Sequence, residues 1–88
     1  MPRVLVVDDE PGVQESLRML LRQDCDVVTA GDVDAALRVI DAELPQLILL
    51  DLLMPGRNGI ELLGELADRG LQIPVIVLTA TKTVATAV

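Results

Sequence analysis

Three aliphatic runs without polar alternation constrain this chain more than any other feature: Val4-Leu5-Val6-Val7, Leu47-Ile48-Leu49-Leu50 and Val75-Ile76-Val77-Leu78. A strand with one wet face alternates apolar and polar residues, so strands without alternation are covered on both faces. These runs predict central parallel strands. A weaker run, Val27-Val28-Thr29-Ala30, is β-branched and bounded by Asp26 and Gly31; it predicts a strand nearer an edge.

Helical patterns fill the intervals. Val13, Leu17, Leu20 and Leu21 recur at i, i+4, i+7 and i+8, with Gln14, Arg18 and Arg22 on other faces, which predicts an amphipathic helix over about residues 11–23. Val33, Ala36, Leu37, Ile40 and Leu44 form a second pattern, opened by Asp32 as N-cap and ended by Pro45. Ile60, Leu63 and Ala67, beside Leu62 and Leu66, form a third, with Asn58 as N-cap and Gly70 as terminator. Residues 81–88 predict the start of a fourth helix, although Thr and Val are mediocre helix formers. The order β-α-β-α-β-α-β-α with short crossovers predicts a doubly wound α/β domain, its parallel sheet carrying helices on both faces. No repeat, low-complexity tract or Gly/Ser linker marks a second domain, and residue 88 falls inside a pattern, not at a boundary.

Composition narrows the function classes. A chain of 88 residues buries only about 60 to 65% of its unfolded surface, so its stability is expected to be marginal. With no Phe, Tyr or Trp, the core is packed from Leu, Val, Ile, Ala and Met. A net charge of −7 gives no electrostatic footprint for nucleic acid or anionic lipid, so direct nucleic-acid binding by this segment is not expected. The lone Cys25 has no intrachain disulfide partner, the N-terminus lacks a signal-peptide pattern, and no apolar run approaches the roughly 18 to 20 residues that span a bilayer. The expectation is a cytoplasmic protein without a membrane segment. Met19 and Cys25 are read as packing residues.

In doubly wound sheets, ligands bind beyond the carboxyl ends of the strands at the point where the winding reverses. Asp8 and Asp9 directly follow the first run, Asp51 closes the third and Thr79 closes the fourth, so folding is expected to gather three carboxylates and a hydroxyl at one rim, with Glu10 adjacent. Two unit charges at 4 Å repel by roughly 4 kcal/mol at an effective dielectric of 20, which a hard divalent cation would offset. Oxygen donors without His point to Mg²⁺ or Mn²⁺ rather than a softer metal, and the spacing is not that of an EF-hand loop. Each residue alone also fits a simple turn or cap after a strand.

Taken together, Val7-Asp8-Asp9-Glu10, the segment Asp51-Leu52-Leu53-Met54-Pro55-Gly56-Arg57-Asn58-Gly59 and Pro74-Val75-Ile76-Val77-Leu78-Thr79-Ala80 resemble the response-regulator receiver domain of two-component signalling. The Asp-x-x-Met-Pro-x-x-x-Gly segment, in register with the acidic pair and the Thr-Ala, carries the specificity. The resemblance implies a flavodoxin-like receiver fold with strand order 2-1-3-4. It implies Asp51 as phospho-acceptor, with Mg²⁺ held by Asp8, Asp9, Asp51 and the backbone carbonyl of Leu53. Thr79 would be the hydroxyl that follows the phosphoryl group, and Ala80 the small residue leaving it room. The implied partner is a sensor histidine kinase or phosphotransfer protein, in a signalling domain rather than an enzyme. Arg18 and Arg22, one helical turn apart, fit a simple solvated face, while the resemblance implies that the first helix is where related receivers meet kinases.

The family's fifth strand and fifth helix, with the lysine that pairs with the phosphoryl group, have no counterpart in residues 1–88, and Lys82 lies in the wrong element to replace that lysine. A partial receiver domain is therefore expected, impaired in phosphorylation and switching. The Val75-to-Leu78 strand would become an open edge, and self-association through it or through the terminal segment is expected. Two other readings use the same residues. A Mg²⁺-dependent phosphohydrolase of the haloacid-dehalogenase kind would need Asp-x-Asp, where this chain has Asp8-Asp9-Glu10. A non-phosphorylated interaction or dimerisation module would need neither metal nor Asp51.

Overall fold

The computed structural model describes residues 1–54, 56 and 58–78, and the backbone of 84–86. In chain order the elements are β1 (Arg3–Val7), α1 (Pro11–Leu21), β2 (Asp26–Ala30), α2 (Val33–Ala42), β3 (Leu47–Asp51), α3 (Gly59–Asp68), β4 (Val75–Leu78) and β5 (Val84–Thr86). The sheet order is β2-β1-β3-β4-β5, and the first four strands are parallel, as expected.

The chain beyond β4 departs from expectation. Residues 84–86, expected inside a fourth helix, instead form β5, which pairs antiparallel with β4 through Ile76↔Thr86, Val77↔Ala85 and Leu78↔Val84; the rest of residues 81–88 lies outside the described residues. Val84 and Thr86 are β-branched and suit a strand. The outer edge of β4 is thus occupied within the chain, which removes the premise for self-association through it.

Alternation along the strands splits the core between the two faces. Leu5, Val7, Ile48, Leu50, Val75 and Val77 point toward α2 and α3, joining Val33, Ala36, Leu37, Ile40, Leu62 and Leu66. Val4, Val6, Val27 and Leu49 form the buried set on the opposite face, flanked by Leu17, Leu21 and Cys25. Helix α1 buries no residue completely. Met19, expected to pack, is 58% exposed on its outer side, and Leu20 is 75% exposed.

Local signals fix the helix ends. Pro11 opens α1, where a missing N–H costs nothing. Asp32 Oδ1 accepts the Ala35 N–H at 2.7 Å and Asn58 Oδ1 accepts the Glu61 N–H at 3.1 Å, so both expected N-caps are present. Gly70, at φ 68°, ends α3 while the Leu71 N–H returns to the Leu66 carbonyl at 3.0 Å. Helix α2 stops at Ala42, before Pro45, and leaves Leu44 exposed outside it.

The inward face of α3 also differs from expectation. Gly59, Leu62 and Leu66 are buried and Leu63 packs at the fringe, while Ile60 is 64% exposed and Ala67 is exposed. The cause is a close approach at the helix start. An added Cβ on Gly59 would lie 2.8 Å from Leu52 Cδ2 and 3.0 Å from the Asp51 carbonyl oxygen, so only glycine lets α3 begin against the end of β3. An ion pair from Arg69 to Asp41 ties α3 to α2. No helix among the described residues is long and apolar enough to cross a membrane.

Candidate metal centre

The parallel register of β1 against β3, ending in Val7↔Leu50, sets the next residue of each strand side by side: Asp8 after one strand and Asp51 at the end of the other. Asp8, Asp9 and Asp51 each offer a carboxylate oxygen, and these oxygens lie within 4.8 Å of one another. They are respectively buried, exposed and half-buried, so the cluster opens to solvent on one side. Thr79 and Ala80, expected at the same rim, lie outside the described residues, as do Pro55, Arg57 and Lys82.

Backbone donors aim these side chains. Asp8 is 5% exposed; its N–H donates to the Ala30 carbonyl at 3.0 Å, and its Oδ1 accepts the Glu10 N–H at 2.8 Å. The Leu53 N–H donates to Asp51 Oδ1 at 2.9 Å, while the Leu53 side chain is exposed. Met54 anchors the same loop by burying its side chain in the α2–α3 core.

Burial raises the Asp8 pKa above the usual carboxylate value, and the negative charges of Asp51, Asp9 and Glu10 push in the same direction against the lowering effect of the Glu10 N–H. Among the described residues no arginine forms an ion pair with the three carboxylates; Arg3, Arg18 and Arg69 pair elsewhere. Anionic oxygen donors held together with no described cation to compensate them fit a hard divalent ion. A separate apolar cleft beside α3, lined by Leu63, Leu66, Leu71, Ile73 and Val75, contains no carboxylate.

Sequence reasoning missed Gln14, which it placed on an outer face of α1. Its Nε2 donates to the Asp8 carbonyl oxygen at 2.6 Å. The available signal was positional: helical side chains lean back over the turn before them, so a long polar residue at the fourth helical position reaches the loop that precedes the helix. Arg18 likewise reaches inward, to the Val27 carbonyl at 3.4 Å and Thr29 Oγ1 at 3.3 Å.

A parallel sheet wound in this order, with three aspartates at the carboxyl ends of the neighbouring inner strands β1 and β3, defines a class of signalling modules. The family model for the response regulator receiver domain matches residues 4–88, and the chain belongs to that family, the receivers of two-component systems. It is 45% identical over 80 residues to the DNA-binding response regulator MtrA of Mycolicibacterium smegmatis, covering 89% of this chain and 34% of that protein. It is 40% identical over 79 residues to the alkaline phosphatase synthesis transcriptional regulatory protein PhoP of Bacillus subtilis, covering 89% of this chain and 33% of that one. The chain thus spans about a third of the length of these relatives. Among solved structures, the receiver domain of a Francisella response regulator superposes with a TM-score of 0.85 at 31% identity, covering 94% of this chain and 69% of that one. The response regulator TrrA of Thermotoga maritima, solved in complex with Mg²⁺-BeF, superposes with a TM-score of 0.82 at 37% identity, covering 91% and 70%.

Proposed function

We propose that this chain is a phospho-accepting receiver in which Asp51 takes a phosphoryl group from a phosphohistidine on a sensor histidine kinase or phosphotransfer protein. The single observation that carries this reading is the convergence of Asp8, Asp9 and Asp51. Mg²⁺ fits the donor set, with Asp8, Asp9, Asp51 and the backbone carbonyl of Leu53 as its protein ligands, and TrrA is a relative solved with that ion. When bound, the ion supplies positive charge against the phosphoryl oxygens.

The chain's own residues select the nucleophile. Asp8 is buried with one oxygen committed to the Glu10 N–H, whereas Asp51 is half-buried at the mouth of the cluster. The Leu53 N–H holds Asp51 Oδ1, which leaves Oδ2 to attack phosphorus. The new O–P bond forms as the P–N bond to histidine breaks, and the departing imidazole nitrogen takes a proton. Thr79 is the hydroxyl that would close on the phosphoryl group and shift the population of states. DNA contact, named for MtrA, is disfavoured for this segment by its net charge of −7.

The test is incubation with a small acyl-phosphate donor and Mg²⁺, read by intact mass. One phosphoryl group per chain is expected, labile to hydroxylamine, absent from Asp51→Asn and absent with EDTA. Multiple-turnover release of phosphate from small phosphoesters would instead support a phosphohydrolase. Absence of any label at long times and high donor concentration would overturn the proposal.

A further inference from the structure

Gln14 joins the body of α1 to the acidic pair. Its backbone N–H donates to the Glu10 carbonyl at 3.1 Å in the first helical turn, and its side-chain Nε2 donates to the Asp8 carbonyl at 2.6 Å. Asp8 is therefore held at three points: its amide by Ala30, its carboxylate by Glu10 and its carbonyl by Gln14. That carbonyl belongs to the planar peptide unit shared with Asp9, so fixing it also fixes the direction in which the Asp9 side chain leaves the backbone. The contact is specific in reach, since asparagine is one methylene shorter. It matters more because α1 buries no residue completely, so few packing contacts lock the helix over β1.

We propose that Gln14 is a positioning residue for the divalent cation: its carboxamide holds the Asp8–Asp9 peptide so that both carboxylates face the space shared with Asp51. This rests on the metal-dependent reading given above. Residues that orient metal ligands typically change affinity by about 10- to 100-fold. A neutral hydrogen bond to backbone belongs at the bottom of that range, so loss of the Gln14 donor is expected to weaken Mg²⁺ binding about tenfold.

The chain contains no Trp or Tyr, so calorimetry and amide NMR are the suitable readouts. Mg²⁺ is titrated into the wild type, Gln14→Met, Gln14→Ala and the control Gln23→Met, a glutamine exposed beyond the end of α1. Methionine has nearly the length and helix propensity of glutamine but cannot donate. A higher Kd in both Gln14 variants and not in the control supports the proposal, as do shifted Asp9 and Glu10 amide resonances in metal-free Gln14→Met. Equal Kd values in all four proteins, or an equal rise in the control, overturn the role of Gln14 and leave the metal site standing. A wild type that gives no Mg²⁺ binding overturns the metal-dependent reading and this inference with it.

Discussion

On one face of the sheet, α2 and α3 press Leu5, Val7, Ile48, Leu50, Val75 and Val77 into a continuous core with Leu37, Ile40, Leu62 and Leu66. On the other, α1 lies over Val4, Val6, Val27 and Leu49 while its own Met19 and Leu20 stay in solvent. The difference teaches that stability and site geometry draw on different faces. The deep face supplies most of the apolar burial, whereas the shallow face supplies, through the β1–α1 loop and Gln14, the alignment of Asp8 and Asp9.

That division can be broken first at the deep face. Leu62→Ala is expected to cost about 3 kcal/mol or more, a large share of the roughly 4 to 13 kcal/mol available to a domain of this size. Urea unfolding followed by circular dichroism would show it, and an unchanged midpoint would mean the two faces are equivalent. Gly59→Ala is expected to cost about 1 to 3 kcal/mol, because the new methyl would crowd Leu52 Cδ2 and the Asp51 and Leu52 backbone, which must shift to admit it. Since the displaced group is the end of β3, Mg²⁺ affinity should fall as well, which calorimetry on the folded fraction would detect. A stable Gly59→Ala with wild-type affinity would show that α3 does not brace the site.

The rim between the faces gives a smaller effect of opposite sign. A carboxyl whose folded pKa lies above its unfolded value costs stability above the folded pKa, and the cost vanishes as pH falls through it toward the unfolded value. Asp8 is such a group, raised chiefly by burial. Without divalent cation, Asp8→Asn is therefore expected to stabilise the neutral-pH protein by about 1 kcal/mol, a modest fraction of one close charge pair. The gain should shrink on acidification and reverse when Mg²⁺ saturates the wild type. Thermal melts at several pH values, with and without Mg²⁺, would reveal an advantage growing toward low pH if the sign were wrong. The smallest effect belongs to the shallow face: Leu20→Ala should change stability by less than about 0.5 kcal/mol, because the side chain is 75% exposed. A larger loss on chemical unfolding would mean that α1 carries hidden packing.

Much of this was legible from residue order. Three of the four parallel strands were readable because their runs are aliphatic without alternation, the second because its run is β-branched between Asp26 and Gly31, and the caps Asp32, Asn58 and Gly70 because each acts within a few residues of itself. The convergence of Asp8, Asp9 and Asp51 came from strand ends in a parallel sheet. The inward face of α3 was not legible, since Ile60, Leu62, Leu63, Leu66 and Ala67 make two overlapping stripes and a tertiary contact at Gly59 selects one. The pairing of Val84–Thr86 with β4 depends on the neighbouring strand rather than on the segment itself, and no intrinsic propensity decides between it and a weak helix. Gln14 was missed because its reach depends on the direction a helical side chain takes, which an assignment to helix faces does not encode.

The four ladder pairs from Val4↔Leu47 to Val7↔Leu50 set the spacing of the candidate site as well as the packing of the sheet. A slip of one residue along either strand would send every side chain to the opposite face. It would also part Asp8 from Asp51 by a strand step of about 3.3 Å. A misaligned chain would thus forfeit its interior and its ion together, so a wild-type-like cation titration certifies that these two strands have met in the right frame.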